Sequence, residues 1–404
     1  MTTIAPRDLL SAAAVRARSA EVLASIERGR SAWFTWHPEA LATAAAAVVA
    51  TTRERFPDLV VPLHSRWRHF EAGNRDRWAA LVAGAPDSAG LDDPVERARV
   101  MVDLVIPSVL LDAGAGAAWT YRDGATAFGR SEGLALASLA LFASGALSAD
   151  PGRPLRTDAS ALAALDPARL AHAFQVDERN PLPGLDNRAR LLARLGEVAQ
   201  AVPSVFGVPA RLGRLVDHFL ALGDDGRIEA ATVLRTLLEL FGPVWPGRLR
   251  IDGVDLGDTW RHPAATGGLV PFHKLSQWLA YSLLEPLAQA GLEIVEVDGL
   301  TGLPEYRNGG LLLDTGLLAP RDPALPSMRM AVDHPAVVEW RAATVIGLDR
   351  IATGVRRELG LDARRFPLAR VLEGGSWAAG RRLAAERRPG AAPPLAIDSD
   401  GTVF

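Results

Sequence analysis

The sequence predicts a mainly helical protein with a few short β-hairpins, and three observations carry that expectation. Nine segments space their apolar residues at helical intervals. Strand-like alternation is confined to a few short runs. Hydrophobic residues make up 49 % of the chain and charged residues 23 %, enough to bury a large core.

The helical segments run over 9–28, 38–55, 94–105, 131–144, 188–202, 211–222, 228–241, 271–289 and 335–359. Several open on a proline or serine suited to a first turn. The best hairpin signal is L-R-I-D-G-V-D-L at 249–256, two short runs around an Asp252-Gly253 turn. Residues 292–297 alternate as a short strand, and the tail 395–404 reads as extended around an Asp400-Gly401 turn. No repeat or low-complexity linker divides the 404 residues, and the Pro/Gly clusters are only loop-length. One helical domain over 1–404 is expected, with N-terminal helices in 1–60 and the chemistry in 61–404.

A net charge of -3 argues against a nucleic-acid partner, because polyanion binding needs a basic face. The absence of cysteine excludes disulfides, thiolate zinc sites and thiol nucleophiles. Asp8, Arg16, Arg18 and Glu21 fall where an export signal needs an apolar core. The most apolar stretch, 133–147, is too short to span a bilayer about 30 Å thick. A cytoplasmic protein without a membrane partner is expected. The eight histidines show neither HxxxH nor HExxH spacing, so no metal or other cofactor is expected, although dispersed ligands stay open. No G-x-S-x-G or P-loop appears, which leaves esterase and kinase chemistry without support.

The densest chemistry lies between 256 and 314. On a helix starting at Pro271, Lys274, Gln277, Trp278 and Tyr281 share one face. A cation, an amide and two aromatics suit a pocket that stacks and hydrogen-bonds a polar small molecule, with His273 beside them. A partly buried helix with a snorkelling lysine is the plainer alternative. Glu305, Tyr306, Arg307 and Asn308 form a polar cluster between Pro304 and Gly309-Gly310, read as a constrained turn. A carboxylate fixed near a lysine is the minimum equipment for glycosidic chemistry, where it stabilises an oxocarbenium-like centre or activates water. An ordinary Glu–Arg turn salt bridge competes with that reading.

Glu339 and Arg341 are charges on an almost wholly apolar helix, about 200° apart by helical phase. Each must find its own partner, since burying an unpaired ion costs several kcal/mol. Two ion pairs that merely fix helix packing explain them equally well. Upstream, Trp67 and Arg68 sit among aromatics and cations, and Arg130 and Ser131 open a helix whose N-terminus suits a sugar phosphate.

The motifs WRHFEAGNRDRW, PSVLLDAGAGAAW, GRSEGLALAS, PFHKLSQWLAYSLLEP, LTGLPEYRNGGLLLD (ending at Asp314), EWRAATV, LEGGSWAAGR and SDGTVF closely resemble the uracil-catabolism protein family of fungi and bacteria. They extend from Trp67 to Phe404. That resemblance implies a late step of a route in which uracil becomes its ribonucleotide. A partner resembling GTP cyclohydrolase II then opens the ring, and urea is finally released from a ribosylurea-type intermediate.

The order H-K-x-x-Q, P-E-Y-R, E-x-R-A-A-T is also similar to the queuosine salvage N-glycosidases, whose helical fold resembles that of helix-hairpin-helix DNA glycosylases. Residue by residue, this resemblance makes Lys274 the pocket lysine, Glu305 the catalytic carboxylate and Arg341 the buried arginine. The glycosidases carry Asp where this chain has Glu305, and one methylene moves a carboxylate by about 1 Å, enough to alter its role.

The leading expectation is therefore an N-ribosyl hydrolase that cleaves ribosylurea, or its 5′-phosphate, with Glu305 and Lys274 catalytic. Lys274 binds a ribose hydroxyl or keeps Glu305 ionised, Arg341 or Arg307 positions the carboxylate, and Trp67 with Trp278 forms a stacking wall. Arg68, Arg130, Ser131, His273, Gln277, Tyr306, Asp314 and Glu339 complete the expected substrate-binding set. A hydrolase of the ring-opened ureido ribonucleotide, one step earlier, and a non-catalytic partner that channels an unstable intermediate are the alternatives.

Overall fold

The computed structural model describes residues 5–86, 89–112, 114–116, 118–245 and 249–398. The expected Asp400-Gly401 turn and the SDGTVF motif lie outside them. Long helices carry the architecture, as the apolar spacing predicts, and strands among the described residues form only two-stranded pairs. The Arg250–Ile251 and Val254–Asp255 strands make the expected hairpin. Asp252 and Gly253 both adopt positive φ there, as a tight two-residue turn between twisted strands demands. Among the described residues no helix is long and apolar enough to cross a membrane.

Pro335–Leu359 is the central helix. The His334 imidazole accepts from the Ala336 N–H at its start, and Gly360, at φ +67°, ends it. The Ala12–Glu27 and Leu41–Arg55 helices pack along it. The Pro94–Leu110 helix runs beyond the expected end at 105 in spite of Pro107. Residues 104–110 are all buried, and their packing outweighs a proline penalty of about 3 kcal/mol. That extension delivers Asp112 to the cavity that Lys274 and Glu305 line.

Two local departures from the expectation shape the site. The lysine helix begins at Lys274 rather than Pro271, because Leu269–Pro271 pairs as a strand with Thr259–Arg261. His273 then turns the chain at φ +51°, and the Asp258 carboxylate accepts the Lys274 N–H at 2.9 Å. Residues 306–314 are helical instead of a turn, with Glu305 as the N-cap. Gly309 serves close packing there, since a Cβ would sit 2.6 Å from the Trp340 indole. A further helix, Trp377–Arg387, follows a π-helical turn at Leu372–Ser376 that the apolar spacing does not announce.

Candidate active site

A cavity of about 330 Å³ opens where these segments meet. Its polar wall comprises His64, His69, Asp112, Arg130, Ser131, Lys274, Glu305 and Tyr306; Trp278, Trp377, Leu134, Leu303, Leu395 and Ile397 supply most of the apolar wall. Few converging polar groups on an apolar lining is the usual construction of a small-molecule site, and the volume fits the low end of the range.

Glu305 is 9 % exposed. Its carboxylate accepts the Arg307 N–H at 2.7 Å and the Asn308 N–H at 2.6 Å, which caps the Tyr306–Asp314 helix and fixes both oxygens. Burial raises the carboxyl to about 7, against the opposing pull of the Asn308 N–H, Lys274 and His64. Lys274 opens on the same cavity, and burial holds its ammonium below the usual lysine range although Asp112 and Glu305 favour the charge. The expected carboxylate and lysine thus share one cavity.

Asp112 lines the same cavity. Burial works against its charge, but Arg66 holds it below the usual carboxylate range, through a 2.9 Å ion pair, with His69, Lys274 and a Ser131 hydrogen bond helping. Arg66 itself is fully buried and also donates to Ser108 at 2.8 Å. His69 stands edge-on to Trp278 and Trp377, and burial beside Arg66 pushes its imidazole down to about 4, so it is neutral at pH 7. Burial next to Glu305 pushes the Tyr306 phenol up to about 12. His64 lies against Trp278 with ring centroids 4.6 Å apart. Its Nδ1 is 2.8 Å from Glu373, whose other oxygen takes a 3.0 Å bond from Arg55.

Of the expected substrate-binding residues, Trp278, Tyr306, Arg130 and Ser131 reach the cavity. The others are corrected by their packing. Gln277 lies on the shared face but its amide is spent on Thr301, accepting its N–H at 2.9 Å and donating to its hydroxyl. Tyr281 likewise donates to the Thr301 carbonyl. His273 points the other way, with Nε2 2.9 Å from the Leu9 carbonyl. Trp67 packs against Phe70 and Trp78 and donates to the Ser282 carbonyl, so it forms no stacking wall with Trp278. Arg68 pairs with Glu285 at 2.7 Å and borders an adjoining depression. Arg307 bonds the Ala391 carbonyl and covers the outer face of Tyr306. Asp314 is held by Arg388 at 2.5 and 2.7 Å.

Glu339 and Arg341 do find separate partners, as their helical phase requires. Glu339 meets Ser31 and, at 3.4 Å, His262. Arg341 makes a two-pronged pair with Asp258 at 2.7 and 2.8 Å, above the Phe272 ring. Arg341 therefore acts on the site from behind: its partner Asp258 also caps the helix that carries Lys274, and its Nε reaches the Pro304 carbonyl next to Glu305 at 3.4 Å.

Sequence reasoning missed His64, His69, Asp112, Glu373 and Trp377. Their signal lay in the HSRWRHFE, LLDAGAG and LEGGSW segments, which are polar or glycine-rich patches at the ends of apolar runs.

Together the fold and cavity define a mainly helical protein whose cavity gathers carboxylates, a lysine and histidines, suited to acid–base work on a small polar ligand. The chain belongs to the family described as protein of unknown function (DUF1688), which matches residues 8–404. It is 39 % identical to "Protein urg3" of Schizosaccharomyces pombe over 414 aligned positions, covering 100 % of both chains. It is 40 % identical to "Uracil catabolism protein 4" of Lachancea kluyveri, covering 85 % of each.

Proposed function

We propose that this protein takes part in uracil catabolism as an N-ribosyl hydrolase, cleaving the C1′–N bond of ribosylurea or its 5′-phosphate to urea and ribose or ribose phosphate. The name of one relative supports the pathway. The observation that carries the chemistry is the buried Glu305 carboxylate opening on the same cavity as Lys274. It works in the cytoplasm, downstream of a ring-opening partner resembling GTP cyclohydrolase II.

Breaking a C1′–N bond builds positive charge on the sugar, so an ionised carboxylate stabilises the transition state more than the ground state. Glu305 faces that charge or draws the proton from the attacking water. Its two backbone hydrogen bonds hold it in place without consuming every lone pair. Lys274 favours its ionised form, and Trp278 with Trp377 flanks the ligand with apolar surface. The test is to mix purified protein with synthetic ribosylurea or its 5′-phosphate in the presence of a chelator and assay urea. Release from either compound supports the reading; binding without release contradicts it.

The raised Glu305 carboxyl sets a pH dependence. The working form is the carboxylate, so kcat/KM rises as pH increases through about 7 and levels off above it. Lys274→Met removes a cation that favours that carboxylate, so the rising limb moves to higher pH. Rates over about pH 5.5 to 9 check both expectations; a limb that stays near pH 4.5 in the intact protein contradicts the assignment.

A further inference from the structure

We propose that His64 is the proton donor to the departing nitrogen and that Glu373, presented by the π-helical turn, is the residue that positions it. The inference rests on the hydrolase reading and supplies the acid which that reading lacks, since urea is a poor leaving group without a proton.

His64 is 6 % exposed and borders the cavity lined by Lys274 and Glu305. Its ring is clamped from two sides, by Trp278 and by the 2.8 Å contact between Nδ1 and Glu373. With Nδ1 committed, Nε2 is the ring atom left to serve the cavity. Glu373 is itself ionised: burial works against the charge, but His64 and Arg55 hold its carboxyl below the usual range. A fixed carboxylate on Nδ1 sets the tautomer and supports the imidazolium when the ring carries both protons.

The backbone is built for this presentation. Leu372–Ser376 forms a π-helical turn, a rare element that concentrates at functional sites. It packs on the Leu41–Arg55 helix so tightly that a Cβ at Gly375 would sit 2.6 Å from the Thr52 hydroxyl, and closer to the Val48 carbonyl. Arg55, from that same helix, bonds both the Glu373 carboxylate and the carbonyls of Glu373 and Gly374. Helix, turn and imidazole are thereby locked together, which a merely space-filling histidine does not require.

In the step, the Nε2 proton of His64 passes to the nitrogen leaving C1′, and the C1′–N electron pair departs with urea. The water oxygen bonds to C1′, and its proton goes to the Glu305 carboxylate. Exchange with solvent returns one proton to His64 and removes one from Glu305, so the sum is ribosylurea plus water giving ribose plus urea. Glu373 contacts His64 directly and is itself held by Arg55; Glu305 and His69 interact with His64 electrostatically, and Asp112 and Lys274 line the same cavity.

The experiment compares ribosylurea with 4-nitrophenyl β-ribofuranoside, whose leaving group needs no proton. His64→Gln should lower kcat on ribosylurea by about 10²- to 10⁴-fold and leave the nitrophenyl glycoside within about threefold. Glu373→Gln keeps an acceptor for Nδ1 but removes the charge, so it should lower kcat on ribosylurea while KM and the nitrophenyl rate hold. The unaffected nitrophenyl activity doubles as the check on folding. Equal losses on both substrates in a variant whose circular dichroism and thermal melt match the parent, or no loss on ribosylurea, overturn the role of His64 while the hydrolase reading stands. An intact protein that hydrolyses neither substrate overturns the hydrolase reading and this inference with it.

Discussion

Glu305→Gln lowers kcat for ribosylurea hydrolysis by about 10²- to 10³-fold while KM changes by less than about threefold. The split follows from when the carboxylate acts. A neutral ribosylurea gives it little to attract, whereas the sugar in the transition state carries positive charge. Glutamine keeps the size of the side chain and one oxygen for the helix cap, so the change reads the lost charge above any lost shape. Glu305→Asp keeps charge and capping chemistry but retracts the oxygens by about 1 Å, and it should retain more activity than the glutamine variant. Steady-state kinetics on the three proteins check this order. A glutamine variant as active as the parent removes Glu305 from the chemistry and leaves it as a helix cap alone.

Arg341→Met destabilises the protein by about 3 to 5 kcal/mol, because it leaves the Asp258 carboxylate buried without its counter-ion. Asp258 bonds Arg341 twice, the Trp260 indole at 2.6 Å and the Lys274 N–H, so its loss of balance spreads to the lysine helix. Replacing both partners, as Asp258→Leu with Arg341→Met, should recover much of the stability, since no buried charge is then stranded. Activity should not return, because the cap on the Lys274 turn is gone. Denaturant titration of the single and double variants measures the difference. The pH sign is definite: burial opposes the Asp258 charge, but Arg341 holds the carboxyl far below its ordinary value. Its contribution is therefore complete above the unfolded carboxyl range and is lost only as pH falls through the depressed folded value. Equal stability in Arg341→Met and the parent contradicts the account of this pair.

Much of this was legible in the amino acids. The apolar period located the long helices, and the mixed face around Lys274 and Trp278 marked one wall of the cavity. Glu305 stood out as a carboxylate fixed between Pro304 and two glycines, although an ordinary turn salt bridge explained it equally well and those glycines looked like a turn. Gly309 is instead a helical residue kept small by Trp340, a contact 31 positions away in sequence. The same distance problem hid the other half of the site. His64 sits on an irregular segment, Asp112 just past a helix that a proline seemed to end, and Glu373 on a π-helical turn. None has a period of its own, and His64 meets Glu373 across 309 positions. Pairings of that span come from tertiary packing, which local spacing does not encode. The aromatic and cationic run at Trp67 and Arg68 misled for a related reason: it is held by Ser282 and Glu285 further along the lysine helix, so its density of polar groups reflects side-chain pairing.

The central claim is that water attacks the anomeric carbon while Glu305 stabilises the charge there, and oxygen labelling reads it directly. Purified protein incubated with ribosylurea in ¹⁸O-water, with chelator present, should release urea and ribose in equal amounts, and the urea should carry no label. Label in the carbonyl of the released product, or turnover without free urea, places the attack on the carbamoyl carbon and contradicts the assignment.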